Sequence, residues 1–479
     1  MRLFFIGWSG KDFGLTEVVR KLKQRHEIVY WSGDGKEFES LAHEFSGTIF
    51  HGHFDALHGI PARGVNVSLF PPPGVSLLTQ LLGVESTVLT MMNKHFENKL
   101  VSERKHFYYH LVRYWNGVLT TLRPDAIIFP CAPHTVYDFV IYGLAKLLSI
   151  RTISFELTLI GARSLVMQDF SIGSVALRLA IAANARRRFE LCDLPADIRQ
   201  DYERQLDVSL SHTPPYMTEQ FRRYAGLKKF FVKFNSVRAN LMVHKDFTVL
   251  LKLLTHLPRR FMQNMKTEYA SVESEPDFTE NFIYAPLSYQ PERTSSPQGG
   301  IFVDQLLMLE ILSASVPPDW FIYVKEHPVQ WLHRSSDFFS YRHRGYYREI
   351  AQLKNVRVVP LETDTYTLVE RSAAVATITS TAGWEAILRS KPVIVFGYPG
   401  YQHAPGIIPV TDAPSCKQAV EKIISGFMPT GQQTINYLAS FAAASFHGYC
   451  EPNVNGVGDI GASRNAENIV HALETELHR

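Results

Sequence analysis

Three short segments carry residue types that could do chemistry on a phosphorylated ligand: Tyr323-Val-Lys-Glu-His-Pro328, Thr379-Ser-Thr-Ala-Gly-Trp-Glu385 and Lys391-Pro-Val-Ile-Val-Phe-Gly397. Each joins an apolar run to small or polar residues, as strands do at the edge of an open parallel sheet where ligands collect. In the second segment Ser380 and Thr381 stand where a buried strand passes into a helix, with Gly383 and Glu385 in its first turns. Hydroxyls, backbone N–H groups and the positive end of a helix dipole would then meet at one point, an arrangement that suits phosphate. Glu385 could accept hydrogen bonds from ribose hydroxyls, or serve only as a carboxylate favoured near a helix start. His327 is held at a strand end by Pro328 and could donate to a phosphate oxygen, with Lys325 beside it; a structural histidine and a solvated lysine are the competing readings.

A polar loop, Pro286-Leu-Ser-Tyr-Gln-Pro-Glu-Arg293 followed by Thr294-Ser-Ser-Pro-Gln-Gly-Gly300, follows another strand and offers Gln290, Pro291 and Glu292 to the same ligand. Nearer the N-terminus, Glu156 ends a strand, Arg163 and Asp169 follow it, and His134 precedes a helix. These are the acid–base candidates for a facing site, and each could equally be a cap or an ion-pair partner. No Walker loop, GxSxG elbow, HExxH or GxGxxG fingerprint is present.

The elements that must position these residues are legible as alternation. Strands over 2–8, 27–31, 125–129 and 151–155 alternate with helices over 15–23 and 135–148, which predicts a Rossmann-like domain over 1–175. From 176 to 275 the strand signal gives way to a basic helical insertion or linker. Strands then resume at 281–286, 320–324, 356–360, 373–379 and 392–396, alternating with helices, and predict a second Rossmann-like domain over 276–430. Helices near 434–446 and 466–478 close the chain over 431–479 and are placed to pack back on the first domain. The expected fold class is α/β, two such domains facing across a cleft.

Composition narrows the function classes. A chain of 479 residues with 46% hydrophobic content has the makings of large cores, and a formal charge of +3 gives no general affinity for nucleic acid. Four cysteines without CxxC pairing fit a reducing compartment, and the short apolar start reads as a first strand rather than a signal peptide, so a cytoplasmic location is expected. No apolar stretch approaches the ~20 residues of a spanning helix. Between Thr218 and Lys266 eleven Lys or Arg face Glu219 and Asp246, interleaved with aromatic and leucine residues. Such a stretch reads either as a peripheral contact with an anionic membrane or as an ordinary solvated helix face.

Tyr289-Gln-Pro-Glu292, Lys325-Glu-His-Pro328, Ser380-Thr-Ala-Gly-Trp-Glu385 and Lys391-Pro-Val resemble motifs of the bacterial capsule and surface-polysaccharide glycosyltransferases, the group that includes retaining β-Kdo transferases. The resemblance is fullest over residues 280–400. It implies a GT-B architecture with the activated sugar held by the second domain, His327, Ser380, Thr381 and Glu385 on the nucleotide, and Gln290-Pro291 lining the donor pocket. It also implies catalysis without a metal or other cofactor. The second acid of the family's first-domain pair is missing, because Leu157 follows Glu156. The function expected on this basis is transfer of a sugar, Kdo or a related acid sugar from a CMP donor, onto a surface polysaccharide or lipid-linked glycan. A nucleotide-sugar 2-epimerase, a CDP-glycerol glycerophosphotransferase and a non-catalytic nucleotide- or glycan-binding subunit are the alternatives.

Overall fold

Short runs that are apolar on consecutive residues, such as Leu3-Phe4-Phe5 and Ala126-Ile127-Ile128, must be covered on both faces, which is the environment of a parallel strand. The computed structural model describes residues 1–96, 99–207, 265–290, 292–330, 342–451 and 460–479, together with 222, 234, 235 and 238, and places these runs in the middle of a sheet. That sheet is built from β1 (Arg2–Phe5), β2 (Glu27–Gly33), β3 (Ile49–Gly52), β4 (Ala126–Ile128), β5 (Arg151–Leu157) and β6 (Arg163–Met167), joined at one edge by β13 (Phe446–His447). Its order is β13-β6-β5-β4-β1-β2-β3, parallel from β5 to β3. Alternate residues supply two cores: Phe4, Tyr30 and Ile127 meet Trp115 and Tyr137 on one face. Leu3, Phe5, Trp31 and Ile128 meet Val18 and Leu473 on the other.

The second sheet holds β7 (Asn281–Pro286), β8 (Trp320–Lys325), β9 (Val356–Val358), β10 (Ala374–Thr377), β11 (Val393–Val395) and β12 (Ile407–Pro409). All are parallel, in the order β12-β11-β10-β7-β8-β9. In each sheet the chain runs outward from a central strand and then returns to its other side, so the order reverses between β1 and β4 and between β7 and β10. Such reversals open a crevice beyond the carboxyl ends of the strands. The expected α/β class, two Rossmann-like sheets facing across a cleft, is the architecture found.

Several elements differ from the sequence reading. β6 and β13 are antiparallel additions that close the first sheet's edge, β5 turning into β6 through Gly161 at φ 53°. Two- to five-residue strands between loops carry too little periodicity to stand out. The helix expected from 434 spans Gly431–Ala444, because Thr430 and Gln433 form a capping box at its start. The helix expected from 466 spans Ala462–Leu477. Of the 176–275 segment, helices at Val175–Asn184, Ala196–Leu206 and Met265–Ala270 are described. The basic stretch 218–266 lies outside the described residues apart from its C-terminal end and 222, 234, 235 and 238. Among the described residues no helix is long and apolar enough to cross a membrane.

The C-terminal segment is stitched into the first sheet. Asn465, fully buried, donates from Nδ2 to Phe13 O at 2.7 Å and Tyr449 O at 2.9 Å, and accepts from Tyr449 N at 2.9 Å. Its neighbours Ala466, Ile469 and Leu473 enter the apolar core beside β1 and β4. Asn465→Leu strands three backbone groups without partners and is expected to lower stability by about 2–4 kcal/mol in urea denaturation.

Candidate functional site

A cavity of about 500 Å³ lies in the cleft and is lined from both domains. From the second domain come the loops after β7 (Ser288, Tyr289, Glu292, Arg293, Thr294, Gln298), β8 (His327, Val329) and β10 (Thr379, Ser380, Thr381). From the first come His134 after β4 and Glu156 at the end of β5. The cavity therefore sits at the β7/β10 reversal, as the topology requires.

At its second-domain wall the helix Thr381–Leu388 begins, capped by Ser380, whose Oγ accepts from Ala382 N at 3.3 Å. Thr379 Oγ1 donates to Thr294 O at 2.6 Å and so ties this turn to the β7 loop. Ser380 O accepts from the Tyr401 hydroxyl, and Gly383 makes that approach feasible: a Cβ at this position would lie 2.4 Å from Tyr401 Oη. His327 accepts from Val329 N through Nδ1 at 3.3 Å, so in the neutral ring the proton resides on Nε2. Ser380, Thr381 and His327 thus share the cavity with a helix N-terminus, a set suited to binding an anion.

The opposite wall is a charge cluster, buried at Glu156 and partly buried at Arg293 and Glu451. Arg293 from the β7 loop pairs with Glu451 from the segment after β13. Glu156 accepts from Gln298 Nε2 at 3.4 Å. Burial pushes the Glu156 carboxyl above its ordinary range and Glu451 pushes the same way, while Arg293 pulls it down. Burial would also raise Glu451, but Arg293 outweighs it and holds that carboxylate below the usual value. His134 donates from Nδ1 to Ala132 O at 3.0 Å, leaving Nε2 with the lone pair. Burial holds its pKa below the usual histidine value against the pull of Asp138. His134 is therefore a neutral base at pH 7 and Glu156 a carboxyl that takes a proton readily.

Other sequence candidates are placed elsewhere. Asp169 is held by Lys146, accepts from Tyr142 Oη at 2.9 Å, and receives Ser171 N and Oγ at 2.8 and 2.6 Å. Burial would raise it, yet these partners keep it below the ordinary carboxylate range. Arg163 is locked to Asp197 at 2.6 and 3.2 Å and to Ser445 Oγ at 3.2 Å. Neither lines the cleft cavity. Lys325 is also absent from the cavity wall: as the last residue of β8 it is buried and donates to Thr363 O and Thr365 Oγ1, burial lowering it to about 8.

Glu385 is turned one helical position past Trp384 and away from the cavity, with Oε2 buried and unpartnered among the described residues and the carboxyl in reach of Tyr366 and Arg389. Gln290 is spent internally, on Val303 O at 2.6 Å and on Arg342, and it lines a smaller neighbouring cavity that also reaches Glu292, His134 and Arg293. Pro291 lies outside the described residues.

The residues that sequence reading passed over are Arg293, Gln298, Glu451, Lys94 and the aromatic group Trp384, Tyr401, Tyr437 and Phe441. Arg293 and Gln298 belong to the strand-end loop already suspected, so position after β7 was an available signal. Glu451 and the Tyr437–Phe441 pair come from the C-terminal segment, which only the return of the chain brings to the cleft. Among the described residues no group of three or more His, Cys, Asp and Glu side chains is arranged to hold a metal ion.

Burial pushes Glu385 up to about 7, from an ordinary value of 4.5. The folded state therefore binds this proton more tightly than the unfolded chain, and the stability it contributes is present below about pH 4.5 and lost as pH rises through about 7. Wild type is expected to lose about 2–3 kcal/mol across that window relative to Glu385→Gln, measured by urea denaturation at a series of pH values. Parallel profiles for the two proteins would contradict the assignment.

Comparison with known proteins finds a family match over part of the chain. Among solved structures the chain is similar to the β-Kdo 2,7-transferase KpsC of Thermosulfurimonas dismutans, at 12% identity and a TM-score of 0.29, with 74% of this chain and 88% of that one covered. For the UDP-GlcNAc 2-epimerase of Methanocaldococcus jannaschii the values are 13% identity, a TM-score of 0.26, and 92% and 97% coverage. No curated protein matches the chain. Residues 293–418, which begin at the cleft arginine and run through the Ser380–Thr381 turn, match the family described as capsule polysaccharide biosynthesis protein.

Proposed function

We propose that the chain is a nucleotide-sugar-dependent glycosyltransferase of surface-polysaccharide synthesis. The observation that carries this reading is a set of buried polar atoms without hydrogen-bond partners among the described residues, Ser288 Oγ, Arg293 Nε, Gln298 Oε1 and Trp384 Nε1, all on residues that line one cavity beside a helix N-terminus. Buried polar groups are ordinarily satisfied, so a concentration of orphans around a cavity marks the place of a polar ligand. The family match over 293–418 supports the same chemistry.

In this reading the donor phosphate lies against Ser380, Thr381 and the start of their helix, and His327 donates to it from Nε2. The sugar reaches toward Glu156 and His134. An acceptor hydroxyl attacks the anomeric carbon and its proton passes to the His134 Nε2 lone pair or to ionised Glu156. The anomeric C–O bond breaks, and its electron pair leaves with the phosphate, where the helix dipole and His327 meet the charge. Arg293, fixed by Glu451, keeps Glu156 ionisable despite burial. No metal or other cofactor is invoked.

A CMP-linked acid sugar such as Kdo is the first donor to try and a glycan or lipid-linked glycan the acceptor, in the cytoplasm or at the inner face of the plasma membrane. His327→Ala and the double change Ser380→Ala/Thr381→Ala are expected to weaken CMP, CDP or UDP binding about tenfold or more in calorimetric titration. Glu156→Gln should leave that affinity within about twofold while cutting transfer at least about a hundredfold. Unaltered affinity in both second-domain variants refutes the nucleotide placement. Release of an epimerised sugar without transfer to any acceptor refutes the transferase.

A further inference from the structure

Every hydrogen-bonding group of Gln298 but one is committed. Its backbone N donates to Arg293 O at 3.2 Å, and its backbone O accepts from Tyr398 N at 2.8 Å. Its side-chain Nε2 donates to Glu156 Oε2 at 3.4 Å and to Tyr398 O at 3.4 Å. The side-chain oxygen Oε1 is buried without a hydrogen-bond partner among the described residues, on a residue that is 1% exposed and lines the cleft cavity. The neighbours fix which way the amide points. A main-chain carbonyl only accepts, so the NH2 group faces Tyr398 O, and turning the amide over would set oxygen against oxygen there.

The side chain is held in this setting by close backbone packing around it. A Cβ at Gly397 would lie 2.7 Å from Gln298 O, and one at Gly299 would lie 2.4 Å from Ser295 O. A Cβ at Gly400 would lie 2.9 Å from Glu156 Cγ. The loops after β7 and β11 and the end of β5 therefore meet at distances only glycine permits, with the Gln298 amide between them. An amide oxygen left bare in such a place is costly, and a donor supplied by a ligand removes the cost.

The chemistry of that donor follows from what Oε1 can do. Of the four unpartnered atoms around the cavity, Arg293 Nε and Trp384 Nε1 only donate and Ser288 Oγ does either, whereas Gln298 Oε1 only accepts. Glu156 accepts as well, but it loses that capacity as it takes a proton, and an amide oxygen keeps it. An ionised phosphate or carboxylate has no proton to offer Oε1. A hydroxyl or an amide N–H has one.

We infer that Gln298 is a specificity-determining residue: its side-chain carbonyl accepts from one hydroxyl or amide N–H of the sugar seated beside Glu156, and the cleft rejects sugars that lack a donor there. The inference rests on the reading of the cavity as a sugar-nucleotide site. A site built to bond a ligand hydroxyl discriminates strongly against the analogue without it, because the buried partner is then left unpaired.

The test is calorimetric titration of the full chain with CMP, UDP, CMP-Kdo, UDP-GlcNAc and UDP-glucose, then with analogues of the best-bound sugar nucleotide. In these each sugar hydroxyl is replaced in turn by fluorine, which nearly keeps its size and donates nothing, and an acetamido group by an acetate ester. At least one analogue is expected to bind wild type about tenfold or more weakly than its parent, and Gln298→Met to bind that same pair within about twofold of each other. Gln298→Asn, which draws the amide back by one methylene, gives the same comparison should the methionine variant lose its native circular dichroism. Analogues that bind wild type as well as the parent overturn the inference. So do penalties that are unchanged in the variant, since another group would then be reading the sugar. If CMP or UDP binds but the sugar nucleotides bind no better and their analogues no worse, the inference alone falls. If no nucleotide binds wild type, the sugar-nucleotide reading is refuted and the inference with it.

Discussion

The site depends on one partly buried ion pair that spans the two halves of the chain. Arg293 belongs to the second domain, and Glu451 to the segment that has already rejoined the first sheet through β13. A guanidinium partly removed from water is costly to leave without a carboxylate, so the pair holds its two segments together. The pair therefore favours the closed arrangement of the domains. It also bears on the electrostatics of Glu156: burial and the Glu451 charge push that carboxyl toward the protonated form, and Arg293, with the hydrogen bond from Gln298, pulls the other way. Domain closure and the availability of a carboxylate in the cleft are consequently the same interaction seen from two sides.

The other wall is held by a second buried arginine. Arg342 grips Glu326 through Nε at 3.0 Å and Nη2 at 3.1 Å, reaches Ser288 O at 3.1 Å, and also holds Gln290. Glu326 in turn accepts from His327 N at 2.7 Å. The loop after β7 and the histidine after β8 are thereby set relative to each other by groups that never enter the cavity. Gln290 and Glu326, which read in the sequence as ligand contacts or their neighbours, act as the brace behind those contacts. Polar residues at strand ends serve either purpose, and only the third partner, Arg342, decides which.

Much of the fold was legible because its signals are local. The helix Leu15–Lys23 and the strand Asn281–Pro286 emerge at their sequence-derived limits, since apolar spacing and flanking residues define them without help from elsewhere. Ser380, Thr381 and His327 were legible for the same reason: a strand end followed by small residues or proline fixes where a side chain projects. Glu385 was not. Whether the fifth residue past a cap faces a ligand or an adjacent helix depends on what packs there, and Tyr366 and Arg389 come from outside the motif. Arg163 and Asp169 mislead in the opposite way, since Asp197 of the helix Ala196–Leu206 and Lys146 of the first domain satisfy them away from the cavity. Glu451 carries no local signal whatever; the chain's return across the cleft creates its role.

Two candidate bases remain in one cavity, and their surroundings separate them. His134 has its Nδ1 proton committed to Ala132 O, so its Nε2 lone pair is available without any rearrangement, and burial keeps the ring neutral. Glu156 is pushed toward protonation and depends on Arg293 to ionise. A positive charge developing on His134 as it accepts a proton would be opposed by Arg293 and relieved by Asp138 and Glu451; Arg293 and Glu451 also act on Glu156. The two groups thus answer to the same pair of charges, Arg293 and Glu451. A cleft of this kind offers two proton acceptors whose basicity is set by one ion pair, which suits a reaction that must remove a hydroxyl proton.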